Sequence, residues 1–218
     1  MEARHVNDST AETETDRESN DHADTDPSGT YRGPAIPRPM GNRLRTAMGL
    51  EDRPDHFGDW VETWVRIADR DGIEMDIDAL CTTENSPHKA RFNGRTQHYQ
   101  CVQDPIIVPF MADDIESVDI ETRTPQDGKP VHLTVTRSGI TADPDDAVFS
   151  FGVAADPDPP SPDGPSPILA YSQFCPYGHA FTSEAEYEAW AAETEAYTMV
   201  TSMTEMFELA RAIGRVAE

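Results

Sequence analysis

The chain is organised around residues 98–105, HYQCVQDP, which place a cysteine and an aspartate three positions apart, at Cys101 and Asp104. An apolar run follows at residues 106–111, and a second cysteine, Cys175, lies far downstream. Two thiols and one carboxylate suit one kind of chemistry, in which thiolates bind a soft metal ion and the carboxylate moves a proton. Such a spacing has low specificity alone, because a lone cysteine is more often a small buried apolar side chain. A metal or nucleophile site and plain core packing are therefore both open.

The acidic excess of the chain restricts its partners. The 218 residues carry 41 acidic and 17 basic side chains, a formal net charge of −24, and only Lys89 and Lys129 are lysines. Phosphate binding needs a basic patch, so the composition argues against nucleic acid and equally against an anionic membrane surface. Acid-rich, lysine-poor chains suit concentrated salt, where the Debye length is about 3 Å at 1 M. We expect a halophilic source, with an ordinary acidic protein as the alternative.

Targeting signals and cysteine usage predict a cytoplasmic location. No apolar run approaches the roughly 20 residues that a membrane span needs, and the N-terminal residues lack the apolar region of a secretory signal. Three cysteines are too few for a disulfide scaffold. We expect Cys81, Cys101 and Cys175 to be reduced thiols, and Cys81 to be a plain buried one.

Composition divides the chain into three parts. Residues 1–40 are predicted to be a disordered acidic tail and proline-rich linker, because the first 30 residues hold nine acidic side chains and no aromatic ring. Residues 41–90 are predicted to be a small helical region, with a helix over 55–70 that docks two tryptophans on the core and a strand or short helix over 73–80. Residues 91–218 are predicted to form the main core.

Local signals in the main core predict an α+β fold with an antiparallel or mixed β-sheet flanked by helices. Asn93-Gly94 predicts a hairpin, and Asp104 before Pro105 predicts the N-cap of a short helix. The segments Ser183–Glu186 and Ser202–Glu205 are capping boxes that open two further helices. Further strands are expected over 117–123, 130–137, 148–153, 168–174 and 197–202.

Four segments together resemble the organomercurial lyase (alkylmercury lyase) family, over about residues 90–215. They occur in the order of the family and keep both cysteines and the aspartate. The segments are Asn93-Gly94-Arg95 with Cys101-Val102-Gln103-Asp104 and Pro109; Val131–Val135; Phe174-Cys175 with His179, Phe181 and Trp190; and Val200-Thr201-Ser202 with Glu205 and Phe207.

The resemblance implies protonolysis of a carbon–mercury bond. Carried over by matching position, the catalytic residues are Cys101, Asp104 and Cys175, with the two cysteines as mercury ligands and Asp104 as a possible third. Mercury prefers thiolates, and a carboxylic acid that has accepted a thiol proton can deliver it to carbon. The resemblance further implies no required cofactor, an organomercurial substrate, and Hg(II) as a product that passes to low-molecular-weight thiols or a mercuric reductase.

The chain departs from the family pattern in several places. Its helical N-terminal region is reduced, which changes access to the site. Thr124 stands where many members of the family have a further cysteine, and we take that cysteine to be structural. Pro176 directly after Cys175 is another departure. Pro105 places Asp104 at a helix N-cap, where the dipole favours the carboxylate and hinders proton donation.

Two other functions stay open. The first is a non-enzymatic binder or metallochaperone for mercury, copper or zinc, which would use Cys101, Cys175 and His179. Packing or hydrogen bonding is the simpler role for His179, and packing is the simpler role of His98, Tyr99 and Tyr177. The second is a regulatory protein that keeps only the fold, which the acidic tail alone supports. Asp104 separates enzyme from binder, because a binder needs two thiols but no acid.

Overall fold

A computed structural model describes residues 30–72, 77, 80, 82–160 and 172–215. The predicted tail over 1–29, most of the element predicted over 73–80, and Cys81 lie outside the described residues. The predicted α+β class with antiparallel sheets is confirmed. The elements are α1 (Arg38–Met48), α2 (Phe57–Asp71), β1 (Thr82–Thr83), β2 (His88–Phe92), β3 (Arg95–Tyr99), α3 (Gln103–Met111), β4 (Ser117–Arg123), β5 (Pro130–Thr136), β6 (Gly139–Asp143), β7 (Val148–Ala154), a 3₁₀ turn (Cys175–Tyr177), β8 (Ala180–Phe181), α4 (Glu184–Glu193), β9 (Ala196–Thr201) and α5 (Met203–Gly214).

Six strands form one antiparallel sheet in the order β1-β3-β2-β4-β5-β6. Asn93 and Gly94 take positive φ values of 46° and 73° between β2 and β3, as a two-residue hairpin turn requires. The predicted hairpin and the strands predicted over 117–123 and 130–137 are confirmed. Strand β6 was not predicted, because it is only five residues long and its alternation rests on two half-buried apolar residues, Ile140 and Ala142.

Three strands form a second antiparallel sheet in the order β8-β7-β9. Its central strand β7 is covered on both faces. On one face Phe151 meets the rings of Phe57 and Trp60 from α2, at centroid distances of 4.9 and 5.6 Å. On the other face, a smaller apolar cluster from β8 and α4 packs against Val148 and Val200. The strands predicted over 148–153 and 197–202 are confirmed.

The N-terminal helices pack on this second sheet. Within the predicted linker, Ile36 and Met40 are buried and α1 begins at Arg38, so residues 34–40 are an ordered part of the fold rather than a spacer. Pro39 is compatible with this helix because the first turn needs no N–H from that position. The predicted helix over 55–70 is confirmed as α2. The division of the chain into three parts stays a prediction, and its boundary after residue 90 falls inside β2.

Helix α3 is buried between the six-stranded sheet and α5. Its central residues are apolar and buried, and Phe110 meets Phe207 of α5 at 5.5 Å between ring centroids. The predicted N-cap at Asp104 is wrong, because α3 begins at Gln103 with Val102 as its N-cap and Asp104 lies within the first turn. The two other predicted helices are confirmed, and Ser183 and Ser202 accept hydrogen bonds from the backbones of Glu186 and Glu205.

The prediction of a strand over 168–174, leading to Cys175, is wrong for its described residues, 172–174. Residues 172–173 are helical and lead through Phe174 into the 3₁₀ turn. The apolar residues 168–170 suggested a strand, but these lie outside the described residues. Pro176 lies at the start of the 3₁₀ turn, where its fixed φ favours the helical conformation. Among the described residues, no helix combines the length and the apolar character that crossing a bilayer requires.

Candidate active site

Cys101 and Asp104 lie where the chain leaves β3 and enters α3. Tyr99 and Val102 are fully buried and anchor the two ends of this connection. Cys101, between them, keeps only 2% of its surface exposed. Asp104 lies in the first turn of α3 and is half-buried. This half of the site therefore belongs to the six-stranded sheet and the helix packed on it.

Cys175 opens the 3₁₀ turn on the other side of the site and is half-buried. The residue before it, Phe174, is buried against Trp60 of α2, with 4.9 Å between the ring centroids. The backbone N–H of Val102 donates to the carbonyl of Gly178 at 3.1 Å, which ties the 3₁₀ turn to the Cys101 segment. The approach is close enough that a Cβ added at Gly178 would lie 2.9 Å from the Cβ of Cys101.

The fold brings the three predicted site residues together. One ligand atom from each of Cys101, Asp104 and Cys175 lies within 4.8 Å of the other two, and the described part of the chain holds no other group of three such residues that could hold a metal ion. Two metal–thiolate bonds of about 2.3 Å each, as in zinc sites, span at most about 4.6 Å, and the two thiols already lie close enough for a hydrogen bond between them. The arrangement fits a soft ion that prefers sulfur and has a carboxylate beside it.

Cys101 keeps its proton when no mercury is bound. A hydrogen bond with Cys175, burial of the thiol and the neighbouring charge of Asp104 raise the pKa of Cys101 well above its usual range. The backbone N–H of Asp104 acts in the opposite direction as a donor to the sulfur. Cys101 is therefore a neutral thiol near neutral pH, and it needs a base before it can bind mercury as a thiolate.

His179 does not join the group formed by the two cysteines and Asp104. Its Nε2 lies 2.9 Å from the carbonyl oxygen of Pro176, so that nitrogen carries the proton and donates it. Trp190 covers the ring at 5.3 Å between centroids, and burial lowers the pKa of His179. This packed, hydrogen-bonded imidazole is the simpler role predicted from the sequence.

The other residues near the site have structural environments. The Nδ1 of His98 lies 3.1 Å from the carbonyl oxygen of Ser86, and Tyr177 packs on the smaller apolar cluster. Thr124 accepts a hydrogen bond from the backbone of Lys129 at 3.1 Å. Tyr99 differs, because its buried hydroxyl has no hydrogen-bond partner among the described residues. Burial chiefly, and the charge of Asp104, raise the pKa of that hydroxyl.

Sequence reasoning missed three residues that support the site. Gln103 and Ser150 join its two halves by a hydrogen bond of 2.9 Å. His88, 1% exposed, lies 2.7 Å from the hydroxyl of Thr122 and 5.8 Å from the His179 ring between centroids. Burial lowers the pKa of His88 to about 3, with a smaller effect of His179. A serine in the otherwise apolar β7 was the one signal that could have pointed to Ser150.

The chain was compared with known proteins at the level of sequence and of structure. No curated protein matches the chain significantly. Among solved structures, the crystal structure of the mercury-bound form of MerB2 has a TM-score of 0.49 and 15% identity to this chain, and the alignment covers 84% of each. The family model MerB, described as alkylmercury lyase, matches residues 81–214. That match spans more than half of the 218 residues, and the chain therefore belongs to the alkylmercury lyase family.

Proposed function

We propose that the protein cleaves carbon–mercury bonds by protonolysis, with Cys101, Cys175 and Asp104 as its catalytic residues. One observation carries the proposal: the ligand atoms of these three residues lie within 4.8 Å of one another. Family membership supports alkylmercury lyase activity in general. The thiols bind mercury as part of the substrate, and the carboxylate carries the proton.

The exposure of the two thiols suggests the order of events. Cys175 is the less buried of the two cysteines, whereas Cys101 is buried and held protonated. Cys175 binds R–Hg⁺ first with one sulfur–mercury bond, and its thiol proton leaves with the small thiolate that it displaces from mercury. Asp104 then accepts the proton of Cys101, and the Cys101 thiolate forms the second sulfur–mercury bond.

The second thiolate makes cleavage possible. It adds electron density to mercury and makes the bound carbon basic enough to take a proton. Asp104 returns the proton it accepted, the carbon–mercury bond breaks with its electron pair on carbon, and the hydrocarbon R–H leaves. Hg(II) remains bound to two thiolates and Asp104 is again a carboxylate, so the proton and the charge balance. Exchange with small free thiols then releases the mercury.

Turnover of a simple arylmercurial tests this function. The protein, in molar KCl with excess small thiol, is incubated with phenylmercury, and benzene release is followed by gas chromatography. We expect catalytic release of benzene, many equivalents per protein. A protein that holds intact phenylmercury without forming benzene would instead be a soft-metal binder, which needs the two thiols but not the carboxylate.

The salt in this assay follows from the acidity of the chain. Its formal net charge is −24, and screening by salt reduces repulsion between the carboxylates. The expected halophilic source, the cytoplasmic location and a mercuric reductase as acceptor stay predictions from the sequence.

A further inference from the structure

Ser150 is the only serine of β7, and it is fully buried at 0% exposure. Its hydroxyl donates to the carbonyl of Tyr177 at 2.7 Å and accepts from the backbone N–H of His179 at 3.0 Å. Its own backbone N–H donates to the carbonyl of His179 at 3.0 Å. The turn that follows Cys175 is therefore held to β7 by three hydrogen bonds from one residue.

The same serine also reaches the other half of the site. The side-chain amide of Gln103 donates to the Ser150 carbonyl at 2.9 Å. Gln103 is the first residue of α3, between Cys101 and Asp104 in the chain. Ser150 thus joins the segment that carries Cys101 to the turn that carries Cys175, and all of these bonds fall within a few residues of a thiol.

We propose that Ser150 is a positioning residue that sets the separation of the Cys101 and Cys175 sulfur atoms for two-thiolate capture of mercury. The importance of Ser150 for catalysis rests on the proposed function. Its effect on Hg(II) binding can be measured whether or not the protein is a lyase. Gly178 supports the same separation, because its carbonyl accepts a hydrogen bond from the Val102 N–H and a Cβ at this position would lie 2.9 Å from the Cβ of Cys101.

The physical reason is effective concentration. Once Cys175 holds mercury, the second sulfur–mercury bond forms within the protein, and its strength depends on how well the second sulfur is placed. Removing the Ser150 hydroxyl leaves the Tyr177 carbonyl and the His179 N–H without their side-chain partner. The turn that carries Cys175 then samples more positions, and the two-thiolate complex weakens more than the fold does.

Competition for Hg(II) against dithiothreitol tests this role. Complex formation is followed by the ultraviolet thiolate-to-mercury charge-transfer band, in the full-length protein. For Ser150→Ala we expect the competition constant to fall by about tenfold, as for the loss of buried hydrogen bonds at a chelating site. For Gln103→Leu, which loses one of these bonds, we expect about a threefold fall.

Thr201→Val is the matched control. Thr201 is also fully buried, and its hydroxyl bonds to the carbonyl of Phe149, one residue from Ser150 in β7, but this bond reaches neither thiol segment. We expect its competition constant to stay within about twofold of wild type, because only the sheet loses a hydrogen bond. Melting curves of each variant check the fold.

Each outcome either supports or overturns the role of Ser150. A folded Ser150→Ala protein that competes like wild type overturns it, as does a Thr201→Val protein that weakens as much as Ser150→Ala. If Ser150→Ala does not fold, Gln103→Leu decides the question, because it removes the bond between Gln103 and Ser150, and a Gln103→Leu protein that competes like wild type then overturns the role. Wild type that captures Hg(II) with two thiols but releases no benzene refutes the lyase function and leaves the role of Ser150 standing.

Discussion

The two halves of the site differ in how the fold holds them. Cys101 lies between a strand and a helix, with its side chain buried and its proton retained. Cys175 lies on a 3₁₀ turn against the smaller sheet and stays partly accessible. The difference indicates a division of roles, in which the accessible thiol meets the substrate and the buried thiol completes the complex. The site exists only where the two sheets meet.

Removing either thiol should give the largest effect and should separate the two roles. We expect Cys101→Ser and Cys175→Ser both to lose benzene release, because a hard hydroxyl cannot replace a soft thiolate. Cys101→Ser should still take up phenylmercury through Cys175, whereas Cys175→Ser should take it up slowly. Native mass spectrometry measures uptake. Turnover by Cys175→Ser at the wild-type rate would rule out the two-thiolate mechanism.

Removing the carboxylate should stop the reaction after capture. Asp104→Asn keeps the size of the side chain but cannot carry a proton, so turnover should fall by roughly 10²–10⁴, the usual contribution of a positioned general acid or base. Both thiols remain and buffer can take the Cys101 proton in place of Asp104, so Hg(II) capture should persist at equilibrium. The expected species is a protein with intact phenylmercury bound. Equal rates of cleavage by Asp104→Asn and wild type would show that the proton comes from a group other than Asp104.

Acid should lower the stability of the fold through His88, whose ring lies 5.8 Å from that of His179 across the two halves of the site. Its pKa is lowered to about 3 in the fold, from an ordinary value near 6.5. The resulting stability is present above about pH 6.5 and is lost as pH falls towards 3, by up to about 5 kcal/mol in total. Urea denaturation at several pH values measures the slope.

Two variants isolate this contribution from that of the carboxylates. His88→Asn should show a smaller loss of stability on acidification than wild type, because the buried imidazole is gone. His132→Asn removes an exposed histidine of β5 and should keep the wild-type slope. Equal slopes in wild type and His88→Asn would show that His88 does not contribute.

The two thiols should also differ in alkylation. At pH 8 we expect iodoacetamide to modify Cys175 at least about tenfold faster than Cys101, since each pKa unit above the pH lowers the thiolate fraction tenfold. The Cys101 rate should keep rising at more alkaline pH because its pKa is raised. Peptide mass mapping distinguishes the sites. Faster labelling of Cys101 would contradict the division of roles.

The smallest effect is expected at the hydroxyl of Tyr99. It is buried with no partner among the described residues, in contrast to the fully bonded hydroxyl of Ser150. Tyr99→Phe removes it without a cavity, so the free energy of unfolding should stay the same or rise by up to about 1 kcal/mol. Chemical denaturation measures the change. A clear loss of stability would show that the hydroxyl has a bound partner in solution.

The first half of the site could be predicted from sequence because its signals are local. The spacing of Cys101 and Asp104, the hairpin before them and the apolar helix after them all lie within about twenty residues, and the structure confirms these elements. The N-cap predicted at Asp104 lies two residues after the observed one, Val102. An Asp followed by Pro near a helix start does not by itself fix which residue begins the helix.

The second half depends on contacts between distant segments. Cys175 could be assigned to one site with Cys101 only through the family resemblance. The local pattern before it predicted a strand, where the described residues are helical and lead into a turn. Ser150 was missed because its partners are backbone groups far along the chain. Helix α1 was missed because three prolines suggested a linker, although Ile36 and Met40 are spaced to face one core.

The order of strands in the smaller sheet has a consequence for synthesis of the protein. Hairpins between sequence neighbours build most of the larger sheet, whereas β7 must wait for β8 and β9, which follow Cys175 in the chain. Pairings between distant segments form slowly, and a chain grows from its N-terminus. A nascent chain therefore cannot bring Cys101 and Cys175 together, and mercury on either one is held by a bond that small thiols can reverse. Only the completed protein offers Cys101 and Cys175 to one mercury ion.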